Sequence, residues 1–246
     1  MLLEVKHVKK IYQSGPSQTI ALRDVDFSLD KGEYVAIMGE SGSGKSTLLN
    51  LLATFDQASQ GSIHLAGQDL AKIKADKVAQ FRRDMIGFVF QDFNVLDHLS
   101  NRDNILIPLV LNNQKVAQME ARLNELAPLL GIEALLDKYP YQVSGGQRQR
   151  IAIARALVAQ PDIVLADEPT GALDSKSSRQ ILDLFIRLNE MGHTLLMVTH
   201  SSAAAATANR VLFIKDGIIF HELYRGQATE ADFQDRINHA LAVLAK

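Results

Sequence analysis

The stretch Gly39-Glu40-Ser41-Gly42-Ser43-Gly44-Lys45-Ser46-Thr47 decides the reading of this chain. It fits G-x-x-x-x-G-K-[ST], and its surroundings carry as much information as its letters. The apolar run Val35-Ala36-Ile37-Met38 leads in and Leu48-Leu49-Asn50-Leu51-Leu52 leads out. That is the strand, loop and helix setting a phosphate-binding loop requires. Glycines let the backbone turn successive N–H groups inward on a polyphosphate. The helix opening at Lys45-Ser46 adds the positive end of its dipole. In such a loop Lys45 reaches the β- and γ-phosphates and the Ser46 hydroxyl ligates Mg²⁺. The alternative, an empty Gly/Ser turn, does not account for every fixed position together with both flanks. These residues predict nucleoside triphosphate binding.

Composition narrows the setting. With 246 residues, 47% hydrophobic and 22% charged, the chain can fill one α/β domain with a smaller insertion. Its 26 basic and 28 acidic residues leave a net charge of −2, so no basic field calls for nucleic acid. Cysteine is absent, which excludes disulfides and thiolate-held metal centres and suits a reducing compartment. Residues 1–6 lack the apolar core of a signal peptide. No uncharged apolar stretch of about 18 residues occurs, so a membrane role is expected only through a partner.

Alternating apolar residues predict strands over 2–12 and 20–29, forming a partly exposed antiparallel sheet. Tyr12 ends the first strand. An aromatic there either stacks on a purine or packs at the sheet edge, and spacing alone favours packing. Residues 61–65 read as a further edge strand and 76–83 as a charged helix. Residues 86–90 form a short apolar strand ending at Gln91, where α/β proteins place ligand contacts. From 94 to 159 the apolar spacing becomes helical, and Pro108, Pro128, Gly131 and Pro140 are expected to punctuate it into short helices. This segment reads as a helical insertion. It closes with Ser144-Gly145-Gly146-Gln147-Arg148, either a second anion-binding helix start or an ordinary helix capped by Ser144.

The strand 163–166 then delivers Asp167 and Glu168 at its end. An Asp there holds Mg²⁺, directly or through water. Glu168 can polarise a water for attack on the γ-phosphate, a contribution on the order of 10²–10⁴ in rate. A strand over 194–198 ends at Thr199-His200, where the imidazole either donates to the γ-phosphate or serves the fold. Residues 210–215 and 218–220 make a hairpin around Asp216-Gly217. The tail has a T-x-x-D cap (Thr229, Asp232) and a stripe of Phe233, Ile237, Leu241 and Leu244. It reads as one amphipathic helix packing on its own domain.

In order and spacing, the loop 39–47, Gln91, the 144–148 turn, Asp167-Glu168, Ala172-Leu173-Asp174 and His200 resemble the ATP-binding subunits of ABC transporters, over nearly the whole chain. Val143 stands where the family signature usually begins with Leu. The resemblance implies an α/β P-loop NTPase of ABC type, a parallel-core sheet with an antiparallel edge subdomain and an inserted helical subdomain. Residues 1–93 and 160–228 would form the core, 94–159 the helical signature subdomain and 229–246 the C-terminal amphipathic helix. ATP and Mg²⁺ are the implied ligands. Gly39, Glu40, Ser41, Gly42, Ser43, Gly44, Lys45, Ser46 and Thr47 would cradle the triphosphate, and Tyr12 would stack on adenine. Ser46, Gln91 and Asp167 would serve the metal, while Lys45, Gln91, Glu168 and His200 take part in hydrolysis. A head-to-tail homodimer is implied, with each ATP between one P-loop and the other copy's Ser144, Gly145, Gly146, Gln147 and Asp174. The helical subdomain would grip a membrane permease, placing the subunit peripherally on the cytoplasmic face of the membrane, with no nucleic-acid partner.

Residues 87–94 and 170–175 resemble the branch of macrolide-export, lipoprotein-release and antimicrobial-peptide-resistance ATPases. Residues 52–56, 81–84 and 222–226 are similar to bacitracin- and lantibiotic-type resistance ATPases. The expected function is therefore ATP hydrolysis that powers antimicrobial-peptide export or target protection. The same ATPase in lipoprotein release, macrolide efflux or cell division is the alternative, and a soluble non-transport ABC ATPase the remote one.

Overall fold

A computed structural model of the chain describes residues 1–15 and 17–244. The final two positions of the 229–246 segment and the Leu244 side chain of its stripe lie outside the described residues. Strand β3 (Tyr34–Met38) is buried at every position. Its pleat sends Tyr34, Ala36 and Met38 into one core and Val35 and Ile37 into the other, which is why it reads as a continuous apolar run. On one side it pairs parallel with β8 (Leu195–Thr199), followed by β7 (Ile163–Asp167) and β6 (Ile86–Val89), all parallel. On the other side it pairs parallel with β9 (Arg210–Lys215).

Beyond β9 the pairings are antiparallel except for the parallel junction of β10 (Ile218–Tyr224) with its next neighbour. Strand β10 folds back on β9, running four residues past the expected hairpin because Tyr224 still pairs with Arg210. A pairing of Ile218 with Asp24 joins β10 to β2 (Ser17–Leu29), then β1 (Leu3–Ser14), β4 (Gln60–Leu65) and β5 (Gln68–Asp69). The described residues thus form one ten-stranded mixed sheet, antiparallel at one end and parallel at the other.

Helices α1 (Lys45–Leu52) and α2 (Ala75–Met85) cover one face through Leu48, Leu49, Leu52 and Phe81. The opposite core takes α3 (Asn101–Leu111), α4 (Val116–Leu130), α5 (Gly145–Leu157), α6 (Ser175–Glu190) and α7 (Ser202–Ala205). Pro108 and Pro128, expected as breaks, lie inside α3 and α4. Each sits within four residues of its helix's end, where a missing N–H removes one ladder bond without stopping the chain. The break after α4 falls at Gly131, which takes the left-handed conformation (φ +62°).

Helix α8 (Glu230–Leu244) starts where the Asp232 N–H donates to Thr229 Oγ1 at 3.2 Å. Phe233 and Ile237 are fully buried in the main core, with Leu241 partly buried against it. The bidentate Arg179–Glu230 pair ties α8 to α6. The stripe therefore packs on its own domain. Phe233→Ala is expected to cost about 3–5 kcal/mol in equilibrium urea unfolding, and Leu241→Ala clearly less, because its side chain is only partly removed from water.

Candidate nucleotide site

Strands β3, β6, β7 and β8 run parallel, so the segments that follow them share one edge of the sheet. A cleft of about 590 Å³ opens there. Residues of the loop 39–47 line it together with Glu168, His200 and Thr19, Ile20 and Ala21 of β2.

Two glycines of the loop are fixed by close approach. A Cβ on Gly39 would lie 2.2 Å from the Ile214 carbonyl oxygen and 2.7 Å from Ser43 Oγ. Gly44 has φ +105°, and a Cβ there would sit 2.6 Å from the Ala21 carbonyl oxygen. Gly44 also occupies the N-cap of α1 without offering a side chain, so no capping group competes for the first-turn N–H donors. The Ser43 hydroxyl is buried with no hydrogen-bond partner among the described residues. Lys45 folds over its own loop, donating from Nζ to the carbonyls of Gly39 (2.8 Å) and Glu40 (2.7 Å). Burial pushes its ammonium below the usual lysine range, against the opposite pull of Glu168 and Asp167. An unpaired hydroxyl, free helix-start amides and a partly desolvated cation together fit a polyphosphate.

The acidic pair is as constrained, and of its two members Glu168 alone lines the cleft. Asp167 ends β7, where burial, and then the neighbouring Glu168 charge, raise its pKa while Lys45 lowers it. Glu168 holds a left-handed conformation (φ +44°), which an ordinary side chain adopts only when its surroundings impose it. Its N–H donates to the Val198 carbonyl at 2.9 Å. Its carboxylate accepts from Thr199 Oγ1 at 3.1 Å, and His200 Nδ1 lies 2.8 Å from the other oxygen. Thr199 is the member that reading the sequence missed. Its one signal was its place beside His200 at a buried strand's end.

Tyr12, on β1, does not itself line the cleft. Its hydroxyl donates to Asp56 at 2.9 Å, and Lys10 Nζ, 2.6 Å from the same carboxylate, lies 4.8 Å from the ring centroid. Burial and the Asp56 hydrogen bond raise the phenol pKa. Lys10 and Asp56 gave no sign of this role in the sequence. Gln91 does not line the cleft; its amide nitrogen lies 3.1 Å from where Gly171 would carry a Cβ.

Ser144 caps α5, accepting from the Gln147 N–H at 3.3 Å, while the Gln147 side chain accepts from the Ser144 N–H at 2.9 Å. Cβ atoms on Gly145 and Gly146 would meet Leu173 at 3.3 Å and Ser177 at 3.0 Å. Asp174 in turn caps α6 through the Ser177 N–H at 2.9 Å. Within one chain, then, residues 144–147 group with Asp174 and stand apart from the P-loop cleft. The hydroxyl of Ser46, the carboxylate of Asp167 and the amide oxygen of Gln91 are all hard oxygen donors, a set that fits Mg²⁺.

Residues 22–171 match the family model described as ABC transporter. The chain is 47% identical over 244 residues to the ABC transporter ATP-binding protein YxdL of Bacillus subtilis, covering 99% of this chain and 94% of that protein. It is 42% identical over 244 residues to the bacitracin export ATP-binding protein BceA of Halalkalibacterium halodurans, covering 99% and 96%. Among solved structures, a dimeric ATP-binding cassette in a post-hydrolysis state with ADP and Pi superposes with a TM-score of 0.82 at 38% identity, over 91% of this chain and 98% of that one.

The raised pKa of Asp167 fixes the sign of a pH effect. The folded chain holds that proton more tightly than the unfolded chain, whose ordinary value is 3.8. The resulting stabilisation is complete below 3.8 and is lost as pH rises through the folded value. Asp167→Asn has no such loss. In nucleotide-free thermal scans, the variant's Tm minus that of the parent is expected to grow as pH rises from 3.8, and a flat difference contradicts the burial account.

Proposed function

Because the chain belongs to the ABC transporter ATP-binding family, we propose that it hydrolyses ATP to power antimicrobial-peptide export or target protection by a membrane permease. The observation that carries the hydrolytic part is the Glu168 carboxylate, held by Thr199 and His200 and lining the same cleft as the phosphate loop. The peptide-resistance part rests on full-length similarity to a bacitracin export ATP-binding protein.

In this reading the triphosphate enters the amide-lined loop and draws the Lys45 ammonium off the Gly39 and Glu40 carbonyls. Tyr12, anchored by Asp56, offers its ring to adenine. Ser46 and Asp167, with Gln91, would hold Mg²⁺, which neutralises charge on the β- and γ-phosphates. His200 is three-quarters exposed and can swing from Glu168 to donate to the γ-phosphate. That move frees a Glu168 oxygen to accept the proton of the attacking water as the bond to the β-phosphate oxygen breaks, giving ADP and Pi.

Residues 144–147 stand apart from the P-loop cleft of their own chain, which supports their serving the nucleotide of a second copy in a head-to-tail dimer. Among the described residues no helix is long and apolar enough to cross a membrane. A permease would therefore supply the membrane path. Segment 94–159 is the proposed helical subdomain, and its exposed Val110, Leu111, Val116 and Tyr141 are the surface proposed for that contact at the cytoplasmic face.

Lys45→Ala is expected to lose ATP affinity itself in equilibrium titration, by at least tenfold, since it removes the cation that meets the β- and γ-phosphates. Glu168→Gln is expected to bind ATP, to lose at least 10²-fold in kcat and to accumulate as a dimer in gel filtration. Membranes of the native host solubilised with that variant and ATP test the transport role. One large permease with a sizeable extracellular domain, plus peptide-antibiotic sensitivity of a deletion strain, supports peptide resistance. A pair of four-helix membrane proteins points instead to lipoprotein release or macrolide efflux, and ribosomes or DNA in place of a permease remove the transport reading.

A further inference from the structure

Gln149 lies in the middle of α5, is fully buried, and takes no part in the cleft. Its Nε2 donates to two carbonyls from distant parts of the chain, Pro169 at 2.8 Å and Phe90 at 3.3 Å. Pro169 follows Glu168, and Phe90 precedes Gln91. The amide oxygen of Gln149 is buried without a hydrogen-bond partner among the described residues. Reversing the amide would set that oxygen against both carbonyls, so the side chain acts here through its two donor hydrogens.

The two loops so joined are in contact with one another. The Gly171 N–H donates to the Glu168 carbonyl at 2.9 Å, closing the turn around Pro169. A Cβ on Gly171 would come within 3.1 Å of Gln91 Nε2. The same helix grips the Gln91 loop again further along. Arg155, whose guanidinium burial lowers its pKa, donates to the carbonyls of Phe93 (2.9 Å) and Asn94. Phe93 and Asn94 are successive left-handed residues (φ +63° and +48°), and Glu168 is a third (φ +44°). Backbone in that region persists where the surroundings over-determine it, and Gln149 and Arg155 supply fixed partners on both sides.

We propose that Gln149 is a positioning residue for hydrolysis: it clamps the Glu168 and Gln91 loops to α5, so that a displacement of the Ser144 end of that helix is felt at both loops. The proposal rests on Glu168 being the base. Gln149 touches no nucleotide and acts through the Pro169 and Phe90 carbonyls. Loss of the clamp lets Glu168 drift, and a displacement of the order of 1 Å at a reacting group costs rate without costing binding.

Gln149→Met tests this in the full chain, since it keeps the length and bulk while removing both donors. The expected result is a kcat about tenfold lower, a KM for ATP within about twofold of the parent and little change in Tm. Placed on Glu168→Gln, the same change is expected to leave the residual rate unaltered, because the group it positions is already gone. A folded Gln149→Met with kcat within twofold of the parent overturns the proposal. So does a variant whose KM rises as kcat falls, or one that lowers the residual rate of Glu168→Gln further, since either marks general disruption. Should the Met variant not fold, Gln149→Asn, which withdraws the amide by one methylene, is judged by the same outcomes. Near-normal turnover by Glu168→Gln alone would remove the base reading, whereas an inactive Glu168→Gln beside a normal Gln149→Met removes only the clamp.

Discussion

The closest backbone approach in the site, Gly39 against the Ile214 carbonyl, is the constraint from which the nucleotide end of the sheet follows. Strand β3 is locked between β8 and β9, with Met38 paired to Thr199 on one side and Phe213 on the other. The chain leaves that pairing beside β9, where only a residue without a Cβ clears the neighbouring carbonyl. Gly44 repeats the device against Ala21, which draws β2 to the loop and brings Thr19, Ile20 and Ala21 into the cleft. Position, rather than any special side chain, makes the loop a cradle.

Electrostatics then explain why the site is poised for a charged ligand. Asp167 is pushed toward its neutral form by burial and by Glu168, and Lys45 toward its neutral form by burial. Each charge is partly desolvated without an oppositely charged partner at hydrogen-bond distance among the described residues, while Lys45 makes do with two carbonyls. A triphosphate supplies the counter-charge that Lys45 and the α1 amides lack. Glu168 is handled differently: Thr199 and His200 satisfy both of its oxygens, and the exposed member of that pair is free to change partner.

The helix α5 links the ends of this machinery. Its capped start at Ser144 lies beside Asp174, and its buried middle holds the carbonyls flanking Glu168 and Gln91. A helix packed on a sheet moves as a rigid body more readily than it bends, because its hydrogen-bond ladder is continuous. Its two ends are therefore mechanically one object, although they present to different surroundings.

The features legible in the sequence were those fixed by local rules. Glycine spacing between an apolar strand and a helix marked the loop, and the stripe over Phe233 and Ile237 marked a helix whose inner face is now buried. Apolar runs ending in Gln91, Asp167 and His200 marked the strands, because strand periodicity and turn chemistry are written within a few residues. Local rules also misplaced some breaks: Pro108 and Pro128 sit within helices, where packing and position near the ends outweigh the lost N–H. Tertiary structure alone decided that Thr199 and His200 hold Glu168 from 31 and 32 residues away, and that Tyr12 hangs on Asp56 across 44. It alone turned Gln149 inward to the carbonyls of Phe90 and Pro169. Those contacts depend on which strands become neighbours and in what register, and that is settled by burying β3 on both faces at once rather than by any short stretch of sequence.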